Sequence, residues 1–376
     1  MSLILADNDF AMWAIMLLLV ALVLRLEKTH LGQKVSGTIM IILAGVTLAN
    51  FNIISASNNV FSTINTTGVP IAIVLLLFNA NLKKIFKECG PTLIAFIFGA
   101  IGTTLGTIIG LKMLPLGEFE AELAATFSAT FIGGSANFVG VANAIDFTES
   151  SVMAASIAAD NVVGVSFMAL LIAIPSMQFI AKKFSYDPTS NKYDNVTEVI
   201  KDEKPFAIER AVLSLGVAFF VVVVSDVLSV MLGYPPARLL ILTAITVMMA
   251  TFAHERIGKL TEAFPIGIAI MYLFLGAVGA SVDIMTMLES GMLLALFAVI
   301  ILSVHLVTLL ILCKIFKIGL PEAIVGSNAC ILGPPTAAAM AGAMGWKSLV
   351  TPAILCGTLG YAMANFIGIT FFGILS

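Results

Sequence analysis

Charged residues are scarce in this chain. They make up 11% of its 376 residues, whereas hydrophobic residues make up 60%. A composition with so few charges is unlike that of a water-soluble domain. The mean hydropathy is +1.08, and apolar runs of roughly 18 to 25 residues, long enough to cross a bilayer core, recur along the sequence. The sequence therefore predicts a multi-pass membrane protein whose first partner is the lipid bilayer.

Cysteine is also scarce, and its spacing excludes two kinds of site. The four cysteines, Cys89, Cys313, Cys330 and Cys356, are widely scattered, so they indicate neither a disulfide framework nor a metal cluster. No Gly-x-x-x-x-Gly-Lys-Ser/Thr run for nucleotide phosphates occurs. We expect no organic cofactor, no nucleic-acid partner and no enzymatic activity. An intramembrane hydrolase is disfavoured because Ser135 lacks a Gly-x-Ser-Gly setting and a histidine partner.

The apolar segments form two sets of six, separated by a polar stretch. They lie at roughly 10–26, 35–51, 60–81, 91–113, 119–144 and 151–180, then at roughly 211–232, 238–253, 262–282, 290–313, 320–344 and 347–375. The two sets show weak internal similarity at a constant offset, which is typical of secondary transporters. We predict a first inverted repeat at 1–180, a cytoplasmic linker at 181–210 and a second inverted repeat at 211–376.

The fifth and eleventh segments contain helix-disrupting residues at corresponding places. The first reads Gly133-Gly134-Ser135-Ala-Asn137, and the second reads Gly333-Pro334-Pro335-Thr336. Broken helices persist in a membrane only where protein or a water-filled cavity satisfies their backbone groups. Such a pair indicates the binding site of a transporter. We predict re-entrant hairpins at about 119–144 and 320–344, with tips that meet near the membrane midplane and with Thr336 capping the half-helix that follows.

The distribution of positive charge favours hairpins over crossings at these two segments. With hairpins, all but two of the 19 lysines and arginines fall on one face, the exceptions being Lys112 and Arg238. With crossings, the same residues divide without bias. The prediction is an all-α polytopic fold in the inner (plasma) membrane, with five transmembrane helices and one hairpin in each repeat. Both termini and the acidic connectors that contain Glu149 and Asp283 lie outside.

Asp160 is the strongest candidate for a role with ions. A carboxylate within a membrane span costs several kcal/mol, so it marks a functional site by default, and no lysine or arginine lies at matching depth. It could bind Na⁺, exchange a proton or pair with a buried cation. The predicted sodium ligands are Asp160, Asn161, Thr130 and Ser135. The predicted solute-binding residues are Gly133, Gly134, Ser135, Asn137, Gly333, Pro334, Pro335, Thr336 and Asn328.

Three other features of the spans have structural interpretations. His305 lies mid-span, and we expect a neutral imidazole bonded between helices rather than a proton relay. Gly102-xxx-Gly106-xxx-Gly110 is a small-residue stripe that lets helices pack closely. Asp226 lies near the outer end of its span and is expected to be structural or solvated.

These motifs resemble one family. Ile132-Gly-Gly-Ser-Ala-Asn137, Ala158-Ala-Asp-Asn161 and Gly333-Pro-Pro-Thr-Ala-Ala338, with the opening Leu5-Ala-Asp-Asn-Asp-Phe10, resemble the YjcL-like bacterial membrane family of unknown function over essentially the whole chain. The chain is more distantly similar to glutamate:sodium and citrate:sodium symporters, which carry paired re-entrant hairpins. That similarity implies sodium coupling, a homodimer and an elevator motion. The prolines at the second tip and the lack of a buried arginine at either tip argue against a di- or tricarboxylate solute.

The sequence therefore predicts a transporter that works by an elevator mechanism. We expect a sodium-coupled symporter of a small organic solute such as an amino acid, a small peptide or an organic anion, with proton coupling as an alternative to sodium. The alternative is a cation/proton antiporter in which Asp160 alternates between Na⁺ and H⁺.

Overall fold

The computed structural model describes residues 8–29, 37–55, 58–147, 150–184, 206–233, 237–280 and 284–376. All regular secondary structure in these ranges is helical. Eight helical segments among them are long and apolar enough to cross a membrane, so the chain is a polytopic all-α membrane protein, as predicted. The first three residues of the opening motif (5–7), the acidic residues Glu149 and Asp283, and most of the 181–210 linker lie outside the described residues.

The first half of the described chain contains ten α-helices. They are Asp9–Leu26 (α1), Gly37–Asn50 (α2), Asn59–Thr63 (α3), Val69–Leu77 (α4), Leu82–Glu88 (α5), Gly90–Met113 (α6), Glu120–Gly133 (α7), Ser135–Ala144 (α8), Ser150–Ala173 (α9) and Gln178–Lys183 (α10). A π-helical turn, Ile64–Gly68, joins α3 to α4. Asparagine starts three of these helices: Asn8, Asn58 and Asn81 each accept a backbone N–H of the first turn.

The second half contains eight. They are Ile208–Leu232 (α11), Ala237–Phe252 (α12), His254–Ile257 (α13), Ala263–Ala280 (α14), Ile284–Ile315 (α15), Leu320–Ile331 (α16), Pro334–Ala343 (α17) and Val350–Leu375 (α18). The predicted spans 35–51 and 238–253 correspond to α2 and α12, which are shorter than the eight long segments. The inversion of one half relative to the other stays a prediction.

The helices pack as two groups. Helices α6 to α9 and α15 to α18 contact mainly one another, and we call this group the hairpin unit. Helices α1 to α4, α11, α12 and α14 contact mainly one another, and we call them the frame. Between the groups, α4 and α12 of the frame contact α8 and α18 of the hairpin unit. The predicted site residues therefore lie in the hairpin unit, whose boundary with the frame is formed in part by α4.

Glycines bring the helices of the hairpin unit close together. A Cβ at Gly102 would lie 2.8 Å from the Cα of His305, and one at Gly106 would lie 2.7 Å from the carbonyl oxygen of Ile301. Both contacts are to the backbone of α15, so a larger residue would separate α6 from α15. The close packing predicted for this stripe is confirmed.

Helix α18 uses glycines in the same way to approach both broken segments. A Cβ at Gly357 would lie 2.6 Å from the nitrogen of Pro334, and one at Gly360 would lie 2.5 Å from the carbonyl oxygen of Ile132. The helix is therefore pressed against the end of α7 and the start of α17 at once.

Two ion pairs tie the frame helices together. Arg210, at the start of α11, pairs with the buried Glu262 that precedes α14, at 2.6 Å. Asp226 of α11 pairs with Arg238 of α12, which agrees with the structural role expected for Asp226. The pair also neutralises Arg238, one of the two cations on the predicted outer face.

Candidate functional site

The first broken segment is a helix pair that reverses at Gly134. Helix α7 ends at Gly133 and α8 begins at Ser135, and Gly134 between them has φ 81° and ψ 172°. Only glycine adopts this conformation readily. The rings of Phe119, before α7, and Phe147, after α8, lie 5.8 Å apart. The chain therefore enters and leaves the helix pair at the same end.

The second broken segment repeats this geometry. Gly333 separates α16 from α17 with φ 84° and ψ −174°. The Asn328 side chain in α16 donates from Nδ2 to the Met340 sulfur in α17 at 3.1 Å. This contact joins positions on opposite sides of the break, so the two arms run alongside each other.

The two tips lie against each other. A Cβ at Gly134 would be 3.5 Å from the carbonyl carbon and oxygen of Leu332 and 3.6 Å from the nitrogen of Gly333. A Cβ at Gly333 would be 3.9 Å from the carbonyl oxygen of Gly133. The fold thus brings together two segments about 200 residues apart in sequence, and the predicted tip residues share one place in the hairpin unit.

Asp160 lies beside the first tip. Its side chain is 4% exposed, and its Oδ2 accepts a hydrogen bond from the Ser135 hydroxyl at 2.9 Å. The Thr130 hydroxyl is close to the same carboxylate, although no hydrogen bond joins them. One turn further along α9, a Cβ at Gly164 would lie 3.1 Å from the Leu332 side chain. Helix α9 therefore contacts both tips.

Three buried side-chain oxygens of the first hairpin have no hydrogen-bond partner among the described residues. Glu122 Oε2 lies in the first turn of α7, away from the tip, whereas Thr130 Oγ1 and Asn137 Oδ1 lie at the tip end. The amide nitrogen of Asn137 is fully used, because it donates to the Tyr361 carbonyl and to Asn365 Oδ1, both at 2.7 Å. Buried polar atoms are normally paired. The Asp160 carboxylate, the Ser135 hydroxyl and the nearby Thr130 hydroxyl make a set of oxygen donors that fits a hard cation. Asn137 Oδ1 is a further unpaired oxygen of the same hairpin.

Asn161 does not join this set. Its Nδ2 donates to the Ile157 carbonyl of its own helix at 2.8 Å, and no hydrogen bond links it to the tips within the described ranges. The sodium-ligand role predicted for Asn161 therefore has no supporting contact, whereas Asp160 and Ser135 are in direct contact and Thr130 is close by.

The polar side chains of the second hairpin satisfy one another. The Thr336 hydroxyl lies 3.0 Å from both Asn328 Oδ1 and the Gly333 carbonyl oxygen. Helix α17 begins at Pro334 with Gly333 at the N-cap and without a side-chain cap bond. The prediction that Thr336 caps this helix was wrong. A helix capped by Thr336 would begin at Ala337, and the prolines start it three residues earlier, since proline suits the first helical turn.

His305 of α15 links the two hairpins through hydrogen bonds on the side of α6 and α15. Its Nδ1 lies 2.9 Å from the Thr103 hydroxyl, and its Nε2 lies 2.9 Å from the Ser327 hydroxyl. Thr103 donates its proton to the Phe131 carbonyl of α7 at 3.1 Å, so it accepts from Nδ1–H. A neutral imidazole then accepts from Ser327 at Nε2. This arrangement matches the expected bonding between helices and uses both ring nitrogens.

Three cavities follow one another along α4, where the frame meets the hairpin unit. The largest, about 510 Å³, includes Leu76, Asn79 and Tyr361 in its lining. A constriction of about 10 Å³ is lined by Ile73, Leu76, Leu77, Ala136, Asn137, Tyr361 and Asn365. Beyond it, a cavity of about 120 Å³ is lined by Pro70, Ile73, Gly140, Asn143, Ala144, Asp146, Arg238, Leu239 and Leu242. The shared lining residues show that the three form one row past the first tip.

Comparison with known proteins places the chain in a family. The family model described as "Protein of unknown function (DUF819)" matches residues 14–376. The chain belongs to this family. A curated relative, the uncharacterized membrane protein YjcL of Bacillus subtilis (strain 168), is 30% identical over 390 residues, which cover 99% of this chain and 98% of the relative. The resemblance stated from the sequence motifs is confirmed, and the family match includes both hairpins and Asp160.

Some site residues of this DUF819 chain were missed by the sequence reasoning. Asn365 and Tyr361 of α18 hold Asn137 in place, and Asn365 also donates to Thr243 of the frame at 3.0 Å. The available signal was a buried asparagine within an apolar span, which marks a functional position. It was overlooked because α18 contains no helix break.

Proposed function

We propose that this protein is a sodium-coupled symporter of a small organic solute. The observation that carries the proposal is the Asp160 carboxylate at the first tip, bonded to the Ser135 hydroxyl and close to the unpaired Thr130 hydroxyl. A buried carboxylate is costly unless a partner balances its charge. Neither ion pair found among the described residues includes Asp160. A bound cation or a proton therefore has to balance it.

The boundary between the hairpin unit and the frame supports alternating access by an elevator motion. The row of cavities is wide at the Asn79 end and closes to about 10 Å³ at Asn137 and Asn365. Among the described residues, only a few side-chain hydrogen bonds cross this boundary, such as those from Asn143 to Asn65 at 2.6 Å and from Asn365 to Thr243 at 3.0 Å. In the proposed topology the wide end faces the cytoplasm, because Lys83 and Lys84 follow it. We further propose a homodimer in the plasma membrane with both termini outside.

Sodium binding tests the proposal without knowledge of the solute. The purified protein is heated in NaCl, KCl or choline chloride at equal ionic strength. A ligand that binds only the folded state stabilises it by about 2.7 kcal/mol at a hundredfold excess over Kd. We expect a saturable rise in apparent Tm in NaCl alone. Equal stability in all three salts would contradict sodium coupling.

The cation/proton antiporter is the second candidate, and the same carboxylate favours it, because protonation also removes the charge of Asp160. Proteoliposomes that contain a pH-sensitive dye distinguish the two. An imposed Na⁺ gradient should move protons in the absence of any solute if the protein is an antiporter. The symporter leaves the internal pH unchanged under these conditions.

Cysteine labelling tests the hairpin topology. Glu118 and Asp146 are exposed at the two ends of the first hairpin, and all four native cysteines are buried. We expect Glu118→Cys and Asp146→Cys to react with an impermeant maleimide added outside, and Lys83→Cys to react only after permeabilisation. Labelling of the Glu118 and Asp146 variants from opposite sides would show that the segment crosses.

A further inference from the structure

The chemistry of the largest cavity restricts its occupant. Eight of the lining residues are apolar and three are neutral polar residues: Leu76, Asn79, Phe264, Pro334, Pro335, Ala338, Ala339, Val350, Ile354, Thr358 and Tyr361. None of these lining residues is charged. A volume of about 510 Å³ is in the range of small-molecule sites. The cavity offers apolar contact and a few neutral hydrogen-bonding groups, and no side chain that would balance an anion.

The half-helix that borders this cavity is a poor anion site. The N-terminal N–H groups of a helix ordinarily attract negative charge. In α17 the first two positions are Pro334 and Pro335, which have no N–H. The Thr336 hydroxyl is directed to Asn328 and to the Gly333 carbonyl oxygen. Most of the usual donors of a helix start are therefore missing or committed.

The other half-helix already faces an anion of the protein itself. Ser135 is the first residue of α8, and its hydroxyl donates to the Asp160 carboxylate. A carboxylate at a helix N-terminus is stabilised by the helix dipole. A carboxylate solute at this tip would be repelled by Asp160 unless the bound cation balanced both charges.

We infer that the transported solute is a compact, largely apolar molecule without a negative charge, and that it binds in the cavity between α4, α14, α17 and α18. The inference rests on the proposed transport function and narrows its solute class. The end of the cavity that adjoins the constriction is polar, because Tyr361 lines both spaces and Asn137 and Asn365 also line the constriction. An acyl chain would not use these polar groups. A neutral or cationic head group suits this end, with the apolar body against Pro335 and Ala339.

A matched set of probes tests the solute class. 3-Phenylpropionamide, 3-phenylpropylamine and 3-phenylpropionate share one apolar body and differ in head-group charge. Binding to the purified full chain is measured by calorimetry in NaCl. We expect the amide or the amine to bind at least tenfold more tightly than the carboxylate. Tightest binding by the carboxylate, or no binding by any of the three, would overturn the inference.

A cavity-filling variant tests the location. Ala339 is exposed in the cavity, and Ala21 is exposed on α1, away from it. Ala339→Trp should weaken probe binding at least tenfold, whereas Ala21→Trp should leave it unchanged. Unchanged binding in Ala339→Trp, or displacement of the probe by added phosphatidylglycerol, would place the solute elsewhere and overturn the inference. Both variants should keep the Na⁺-dependent rise in Tm. If the wild-type chain itself shows no rise in Tm with Na⁺, that result counts against sodium coupling and not against the solute class.

Discussion

The two hairpins share a backbone geometry and differ in chemistry. Gly134 and Gly333 have φ of 81° and 84° and ψ on either side of 180°, at 172° and −174°. Each follows one short helix and starts another, and the two lie against each other. The residues after each glycine differ, since Ser135 follows the first and Pro334 with Pro335 follow the second.

The two hairpins also differ in whether their buried polar atoms have hydrogen-bond partners. Among the described residues, the first hairpin has three buried side-chain oxygens without a partner. Two of them, Thr130 Oγ1 and Asn137 Oδ1, lie at the tip end, and the Thr130 hydroxyl is close to the Asp160 carboxylate. The second hairpin pairs its own polar groups, as Thr336 and Asn328 show. Unpaired buried oxygens are costly unless a ligand completes them. We interpret the first tip as the ion side of the site and the second tip as the solute side.

The largest expected effect comes from removing the charge at the first tip. Asp160→Asn keeps the shape of the side chain and should abolish the Na⁺-dependent rise in Tm while the protein still folds. Asp226→Asn is the matched control, because Asp226 is paired with Arg238 in the frame, and it should keep the full response. A normal Na⁺ response in Asp160→Asn would remove the basis for an ion side.

Alanine at the two glycines tests the shared geometry. Because φ is positive in both, Gly134→Ala and Gly333→Ala should each cost about 1–3 kcal/mol of stability. The apparent Tm in KCl should fall by similar amounts in both variants. Gly342→Ala is the control, since Gly342 is exposed and a Cβ there would meet nothing within 4 Å. A drop in only one of the two tip variants would show that the tips are not equivalent in backbone strain.

Removal of the unpaired Thr130 hydroxyl should have a smaller effect, and it should change stability and Na⁺ affinity in opposite directions. Thr130→Val removes a buried group that lacks a partner, so the Tm without Na⁺ should stay equal or rise. The same change removes a proposed ligand, and Na⁺ affinity should fall about tenfold, or about 1.4 kcal/mol. Thr126→Val is the control, because the Thr126 hydroxyl bonds to the Glu122 carbonyl at 2.7 Å. If both variants bind Na⁺ like the wild type, Thr130 is not a ligand.

The sequence predicted the places where the helices break, because glycine and proline act locally on the backbone. Gly134 and Gly333 are therefore where they were expected. The pairing of Asn137 with Asn365 was not predicted, since it joins residues 228 positions apart and depends on how closely α18 packs. The sequence also could not separate Thr130 from Thr126. They lie one turn apart on α7, and the sequence does not reveal that the Thr126 hydroxyl bonds to a carbonyl of its own helix whereas the Thr130 hydroxyl has no partner among the described residues.

The smallest effect on Na⁺ affinity is expected at the second tip, which we interpret as the solute side of the site. Thr336→Val keeps the side-chain volume and removes the hydroxyl that bonds to Asn328 and Gly333. The buried amide oxygen of Asn328 then loses a partner, which should lower the apparent Tm through a cost of about 1–3 kcal/mol. Na⁺ affinity, measured by titration of the Tm with NaCl, should stay within about twofold of wild type, since 0.4 kcal/mol is roughly that ratio. Ser327→Ala is a second variant for comparison. Ser327 lies in α16 of the same hairpin, but its hydroxyl bonds to His305 of α15 and not to a residue of the tip. If Thr336→Val lowers Na⁺ affinity as much as Thr130→Val does, the ion is held between both tips, and the division into an ion side and a solute side is wrong.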